Sequence, residues 1–179
     1  MSTPMTLRAV ILVGHGAAAK DCPRELVSRL KALEGRRMAT GGPMAPMSAE
    51  ERELDDKVRG WPRTPENDPY RAGLEAMASA LRPLLGDARL HLAYNEFCAP
   101  TLDEAVAEAI AGGVGDITVI PSMMTPGGVH SEVEIPEILA RLRGEHPAVT
   151  LRYVWPFDLT EVARLLAAHV ARAGASSQA

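Results

Sequence analysis

Short apolar runs alternate along this chain with segments whose apolar residues recur every three or four positions, and few folds accommodate that alternation. The first run, Leu7 to Val13, carries one Arg and leaves through Gly14-His15-Gly16, as a strand buried on both faces would. Leu26, Leu30 and Leu33 share one face of a helix over residues 24–33. Leu74, Met77, Leu81, Leu84 and Leu85 mark another helix, closed by Gly86. Leu90 to Tyr94 reads as the second strand. Thr101-Leu102-Asp103-Glu104 has the form of a capping box, and Leu102, Ala105, Val106, Ala109 and Ile110 form a stripe before Gly112-Gly113. Ile117 to Ile120 is the third strand, Ile135 to Leu142 a helix stopping at Gly144, and Val149 to Val154 an alternating edge strand. Asp158 can cap a last helix carrying Val162, Leu165, Leu166 and Val170. The tail 173–179 is expected to fray.

Strands separated by helices predict an α/β fold in three layers, with a parallel sheet covered by helices on both faces. Right-handed crossovers reduce the topologies to a four-stranded order of 2-1-3-4, whose winding reverses between the first and third strands. Ligands of such sheets bind outside the carboxyl ends of the strands at that reversal. One domain is expected over residues 1–179. Its exception is residues 34–69, rich in Gly and Pro, which read as a long insertion with one short helix opened by a capping box at Ser48-Ala49-Glu50-Glu51.

Composition removes several classes of function. With 46% hydrophobic and 23% charged residues the chain is globular, and a net charge of −4 makes no case for nucleic-acid binding. The apolar runs are too short to cross a bilayer. The N-terminal stretch lacks a basic region and a small-residue cleavage site, so it reads as a strand rather than a signal peptide. Cys22 and Cys98 are far apart and form no CxxC, which suits a reducing cytoplasm and buried small side chains.

Three strand exits carry the chemistry. His15 follows the first strand, Glu96 the second, and His130 the Pro126-Gly127-Gly128-Val129 loop after the third. Imidazole and carboxylate together suit Fe, Co, Ni or Zn. Gly14 and Gly16 would let a bulky planar ligand approach the backbone. Gly14-His15-Gly16 matches neither the dinucleotide fingerprint nor the Walker pattern, and there is no nucleophile elbow, so a phosphate-binding or hydrolase reading ranks well behind. His91, His146 and His169, placed in a strand, a turn and the last helix, read as structural or solvated.

The segments VGHG, AYNEFCAPTLDEAV and VIPSMMTPGGVHSEVEIPEIL resemble the small sirohydrochlorin chelatases, the cobalt- and iron-inserting class II chelatases of cobalamin and siroheme synthesis. The resemblance covers residues 7–33 and about 70–170. It implies that His15 and His130 hold the metal, that Glu96 is the acidic residue after the second strand, and that Glu134 stands where the family more often has Asp. The chain departs in having Ala17 where Ser is common and in the longer 34–69 segment. Expected substrate-side residues are Gly14, Gly16, Met124, Gly127, Gly128 and Glu134.

The reaction so implied places Co²⁺, Fe²⁺ or Ni²⁺, as substrate, in a sirohydrochlorin-like tetrapyrrole that loses two pyrrole protons, with no organic cofactor. Neutral His15 and His130 would hold the ion loosely enough to release it, and one of them or Glu96 would act as base. Lys20, Arg24, Arg59, Arg63 and Arg71 are available for substrate carboxylates. Trp61, Met123 and Met124 could wall the macrocycle. The alternative is a non-catalytic metal or tetrapyrrole carrier on the same fold. Longer class II chelatases pair two such halves, so a homodimer with facing crevices is expected, in contact through the helix carrying Leu74 to Leu85 and elements beside the third strand. The 34–69 segment could instead act as a lid.

Overall fold

The structure, a computed structural model, describes residues 7–176. Strands β1 (Leu7–Gly14), β2 (Arg89–Tyr94), β3 (Val114–Pro121) and β4 (Thr150–Tyr153) form one parallel sheet in the order β2-β1-β3-β4. The predicted order therefore holds. Helices are α1 (Arg24–Gly41), α2 (Ala49–Arg59), α3 (Pro69–Leu81), α4 (Leu102–Ala111), α5 (Ile135–Glu145) and α6 (Leu159–Ser176).

Alternation along each strand divides the core in two. Ala9, Ile11, Val13, Ile117 and Val119 point to one face, where they pack with Val106 and Ala109 of α4 and Leu139 and Leu142 of α5. Leu12, Leu90 and Tyr94 point to the other and meet Leu74 and Ala78 of α3. The Thr101 capping box is formed in full: its hydroxyl accepts from Glu104 N–H, and the Glu104 carboxylate accepts from Thr101 N–H.

Several expectations need correction. Residues 34–69 are mostly helical. The helix expected over 24–33 runs 18 residues to Gly41 and forms a hairpin with α2. A third cluster, including Leu30, Leu54, Val58 and Phe97, holds the hairpin against the β2 exit. The Ser48 box is only half made. Ser48 accepts from Glu51 N–H, but the buried Glu51 carboxylate pairs with Arg37 at 2.8 Å instead of turning back. Pro83 cannot continue α3, which gives way to a 3₁₀ turn over Arg82–Leu84, and Met77 and Leu84 are exposed rather than core. Gly144 does not stop α5, which continues to Glu145.

The largest departure is α6. Asp158 accepts from Thr160 N–H as expected, but Leu165, Leu166 and Val170 are 54%, 57% and 72% exposed rather than packed on the sheet. The helix continues through residues expected to fray as far as Ser176, and 177–179 lie outside the described residues. No helix among the described residues is long and apolar enough to cross a membrane.

Candidate metal centre

The parallel sheet brings three strand exits side by side. Ligand atoms of His15, Glu96 and His130 lie within 4.8 Å of one another, each on a partly buried residue. The two imidazole rings meet edge to face, with centroids 4.8 Å apart.

His15 is oriented at both ends. Its backbone N–H donates to the Tyr70 hydroxyl at 2.7 Å, and its Nδ1 lies 2.9 Å from the Gly16 carbonyl. A carbonyl only accepts, so Nδ1 carries the proton and Nε2 keeps its lone pair for a metal.

Glu96 sits in a tight loop after β2. Asn95 and Glu96 N–H donate to the Gly14 and His15 carbonyls at 3.0 and 2.8 Å, which ties this loop to the β1 exit. Phe97 has φ +59°, and Cys98 N–H reaches back to the Glu96 carbonyl at 2.6 Å, closing a three-residue turn of the rare positive-φ kind. Strain of this sort persists only where the surroundings enforce it. Two arginines do so here. Arg59 donates to the Asn95 carbonyl at 2.7 Å and to that of Cys98 at 2.8 Å, while Arg63 donates to the Phe97 carbonyl and, at 2.6 Å, to that of Ala17.

His130 opens a π-turn over His130–Glu134, in which Ile135 N–H donates to the His130 carbonyl. Pro136 follows and lacks the N–H that a regular helix would direct to Glu132, which accounts for the wider turn. Glu134 Oε2 lies 2.6 Å from His130 Nδ1, leaving Nε2 toward Glu96 Oε1 at 3.2 Å. A carboxylate on the outer nitrogen of a ligating histidine fixes its tautomer and raises its basicity. Glu134, expected on the substrate side, is thus engaged by His130.

The hydrogen bond to Glu134, then that to Glu96, lifts the His130 imidazole to about 9 against the opposing effect of burial. Burial pushes the Glu96 carboxyl up, but the hydrogen bond from His130 and the charges of His15, His130 and Lys31 bring it below its ordinary value. The neutral His130 expected above therefore describes only a metal-loaded site. Without metal, near pH 7, the ring is a cation between two carboxylates. Because its value is raised, that cation stabilises the fold fully below about 6.5 and progressively less as pH approaches about 9. A metal at Nε2 must displace this proton, so its affinity should rise roughly tenfold per pH unit between pH 7 and 8.5. Calorimetric titration of Co²⁺ at pH 7 in buffers of different ionisation enthalpy should register close to one proton released per ion. Zero release would place the metal elsewhere.

The glycines divide into two kinds. A Cβ at Gly14 would lie 2.6 Å from Leu74 Cδ2, and one at Gly16 would lie 1.9 Å from the Glu96 carbonyl oxygen, at φ +94°. Gly16 is required by the backbone that packs on it, and at Gly14 the Leu74 side chain would have to shift to admit a Cβ. Gly127 and Gly128 face open space and leave that side approachable, with Met124 partly exposed beside them.

A cleft of about 300 Å³ adjoins the centre, lined by Glu34, Arg37, Met44, Glu96, Phe97 and Glu134 among others. Glu34 belongs to α1 and was invisible as a site residue. Burial pushes its carboxyl up, the charge of Glu96 and then that of Glu134 add to this, and Arg37 and Lys31 oppose it. Tyr70 was missed too, because nothing local in the sequence links it to His15.

The proposed substrate-binding side chains fare differently. Arg59 and Arg63 are engaged by loop carbonyls and by Asp55 and Asp68, and Arg71 pairs with Glu75. Lys20 and Arg24 are exposed. Trp61 packs on the hairpin cluster and donates to Asp21, and Met123 packs against the sheet core, both partly buried. His91 sits within β2 with Glu108 at 3.8 Å, His146 caps α5, and His169 lies on α6. Cys22 and Cys98 are buried free thiols.

Comparison with known proteins gives one family. The CbiX family model matches residues 65–173. A sirohydrochlorin cobaltochelatase from Priestia megaterium is 32% identical over 70 residues, 39% of this chain; the chain spans only 22% of that protein's length. A solved CbiX protein from Marinobacter aquaeolei VT8, named for cobalamin (vitamin B12) biosynthesis, superposes with a TM-score of 0.56 at 19% identity, over 95% of this chain and 98% of that one. The likeness to it is one of fold.

Proposed function

Because the chain belongs to the CbiX family, we propose that it inserts a divalent metal, Co²⁺, Fe²⁺ or Ni²⁺, into sirohydrochlorin or a related tetrapyrrole of cobalamin or siroheme synthesis in the cytoplasm. The observation that carries this reading is the convergence of His15, Glu96 and His130 from three neighbouring strand exits beside an open cleft. The curated Priestia megaterium relative, a sirohydrochlorin cobaltochelatase, supports the substrate class.

In this reading His15 Nε2, His130 Nε2 and a Glu96 oxygen hold the incoming ion, while Glu134 keeps His130 oriented through Nδ1. Three donors from open loops leave coordination positions for water and for ring nitrogens, unlike a closed structural site. Binding of the ion expels the His130 proton. Transfer of the ion into the ring frees two pyrrole protons, and the vacated His130, flanked by two carboxylates, takes one of them. The other goes to a carboxylate lining the cleft or to water. The site thus exchanges metal for proton, and the metal-free protein is restored with His130 charged. The open backbone at Gly127 and Gly128 is where the macrocycle comes closest.

Anaerobic assay of sirohydrochlorin with Co²⁺, Fe²⁺ or Ni²⁺, followed by the change in its visible spectrum, tests the proposal. Insertion should exceed the protein-free rate for at least one metal, and Glu96→Gln should slow turnover more than it weakens tetrapyrrole binding. Tetrapyrrole binding with no acceleration for any metal would reject catalysis in favour of a carrier.

A further inference from the structure

Metal insertion as proposed above frees two pyrrole protons, and His130 takes only one of them. The second needs an acceptor near the centre. The adjoining cleft is lined by the carboxylates of Glu34, Glu51, Asp55, Glu96, Asp103 and Glu134.

Five of these six are already engaged. Glu51 pairs with Arg37 at 2.8 Å and Asp55 with Arg59 at 2.7 Å. Asp103 pairs with Arg141. Glu96 and Glu134 face the two nitrogens of His130. Among the described residues, Glu34 has neither a hydrogen-bond nor an ion-pair partner for its carboxylate.

Its helical neighbours on α1 are engaged elsewhere. Arg37, three residues on, donates through Nε to Glu51 and through Nη1 to the Pro43 and Ala45 carbonyls. Lys31, three residues back, sits over the Phe97 ring at 5.0 Å. Glu34 itself is partly buried rather than splayed into solvent. Burial makes its proton harder to remove. The charge of Glu96 and, less strongly, that of Glu134 add to this, against Arg37 and Lys31. From α2 and α4 the facing charges are those of the Glu51, Asp55 and Asp103 pairs. An unpaired, half-buried carboxylate beside a reaction centre is an arrangement that suits a proton acceptor working near neutral pH.

We infer that Glu34 is the second proton acceptor of the insertion reaction, receiving through the cleft the pyrrole proton that His130 does not take and passing it to solvent. This assignment rests on the chelatase reading. Two N–H bonds break, and both electron pairs stay on the pyrrole nitrogens to become bonds to the metal. One proton goes to His130 and the other to a Glu34 oxygen. Nothing is oxidised or reduced. The cleft of about 300 Å³ has room for several waters, so the proton crosses it along hydrogen bonds.

Glu34→Gln keeps the shape of the side chain and removes the acceptor. Its kcat for anaerobic Co²⁺ insertion into sirohydrochlorin should fall about 10²-fold, the lower end of what a positioned proton acceptor contributes. The Kd values for Co²⁺ and for metal-free sirohydrochlorin should stay within about twofold of wild type, since only the proton step is touched. Glu34→Asp should recover most of the rate. In Glu34→Ala, added formate should restore turnover as its concentration rises, whereas Glu34→Gln, with the place filled, should not respond. An unchanged kcat in Glu34→Gln, a loss explained wholly by weaker Co²⁺ binding, or no recovery with either Asp or formate would overturn the assignment alone. A wild type that does not accelerate insertion would overturn it together with the proposed function.

Discussion

His15→Ala and His130→Ala should each weaken Co²⁺ binding roughly 10²–10³-fold and reduce insertion to near the protein-free rate, with far-UV circular dichroism unchanged. Each removes one of three donors whose atoms lie within 4.8 Å of one another. Neither ring belongs to the buried core: His15 follows the β1 exit and His130 opens the π-turn before α5. The two variants should differ in proton linkage. His15→Ala keeps the His130 cation between Glu96 and Glu134, so what binding remains should still release a proton. In His130→Ala that release should vanish. Glu134→Gln should fall between wild type and His130→Ala, losing about 10–100-fold, as expected for an outer partner of a ligating imidazole. His91→Ala, at a site beside Glu108, is the control and should bind metal normally. Equal affinity in wild type and both alanine variants would move the metal away from this centre.

The second large effect is expected at a residue far from the metal in sequence. The Arg63 and Asp68 side chains are 5% and 1% exposed and paired at 2.5 Å. Arg63 also donates to the carbonyls of Ala17, Val58 and Phe97, and Asp68 accepts from Arg71 N–H to cap α3. Arg63→Met leaves Asp68 as an uncompensated buried charge and removes one clamp on the loop that holds Glu96. Urea unfolding should show a loss of about 3–5 kcal/mol. Metal affinity should fall as well, although Arg63 is not among the cluster's donors. Adding Asp68→Asn should recover part of the stability, because the stranded charge is gone, but not the affinity, because the clamp is still missing. A single-variant loss below about 1 kcal/mol would mean that the pair matters little to this loop.

These predictions draw on different kinds of information. The alternation of apolar runs with amphipathic segments, the Thr101 box and the Gly-rich exit after Val13 act over a few residues, so strand order and helix positions were legible from sequence. A parallel sheet of that order directs β1, β2 and β3 to one edge, which is why His15, Glu96 and His130 could be placed together before any coordinates were known. Nothing local marked the rest. Residues 34–69 read as an insertion with one short helix because Gly and Pro recur on both sides of the Ser48 box, yet Leu30, Leu54 and Val58 bury against Phe97 and make a hairpin. Arg59 and Arg63 looked like surface charges available to a polyanion until their carbonyl partners, more than thirty residues away, accounted for them. Gly14 and Gly16 invited a ligand-binding reading, and sequence could not show that the Glu96 backbone closes on Gly16 and the Leu74 side chain on Gly14. The apolar spacing of α6 correctly identified a helix, but periodicity records only that one face avoids water. That Leu165, Leu166 and Val170 stay exposed while Trp155 and Phe157 of the preceding link stack beside Pro126 and Pro136 is decided only by the tertiary structure.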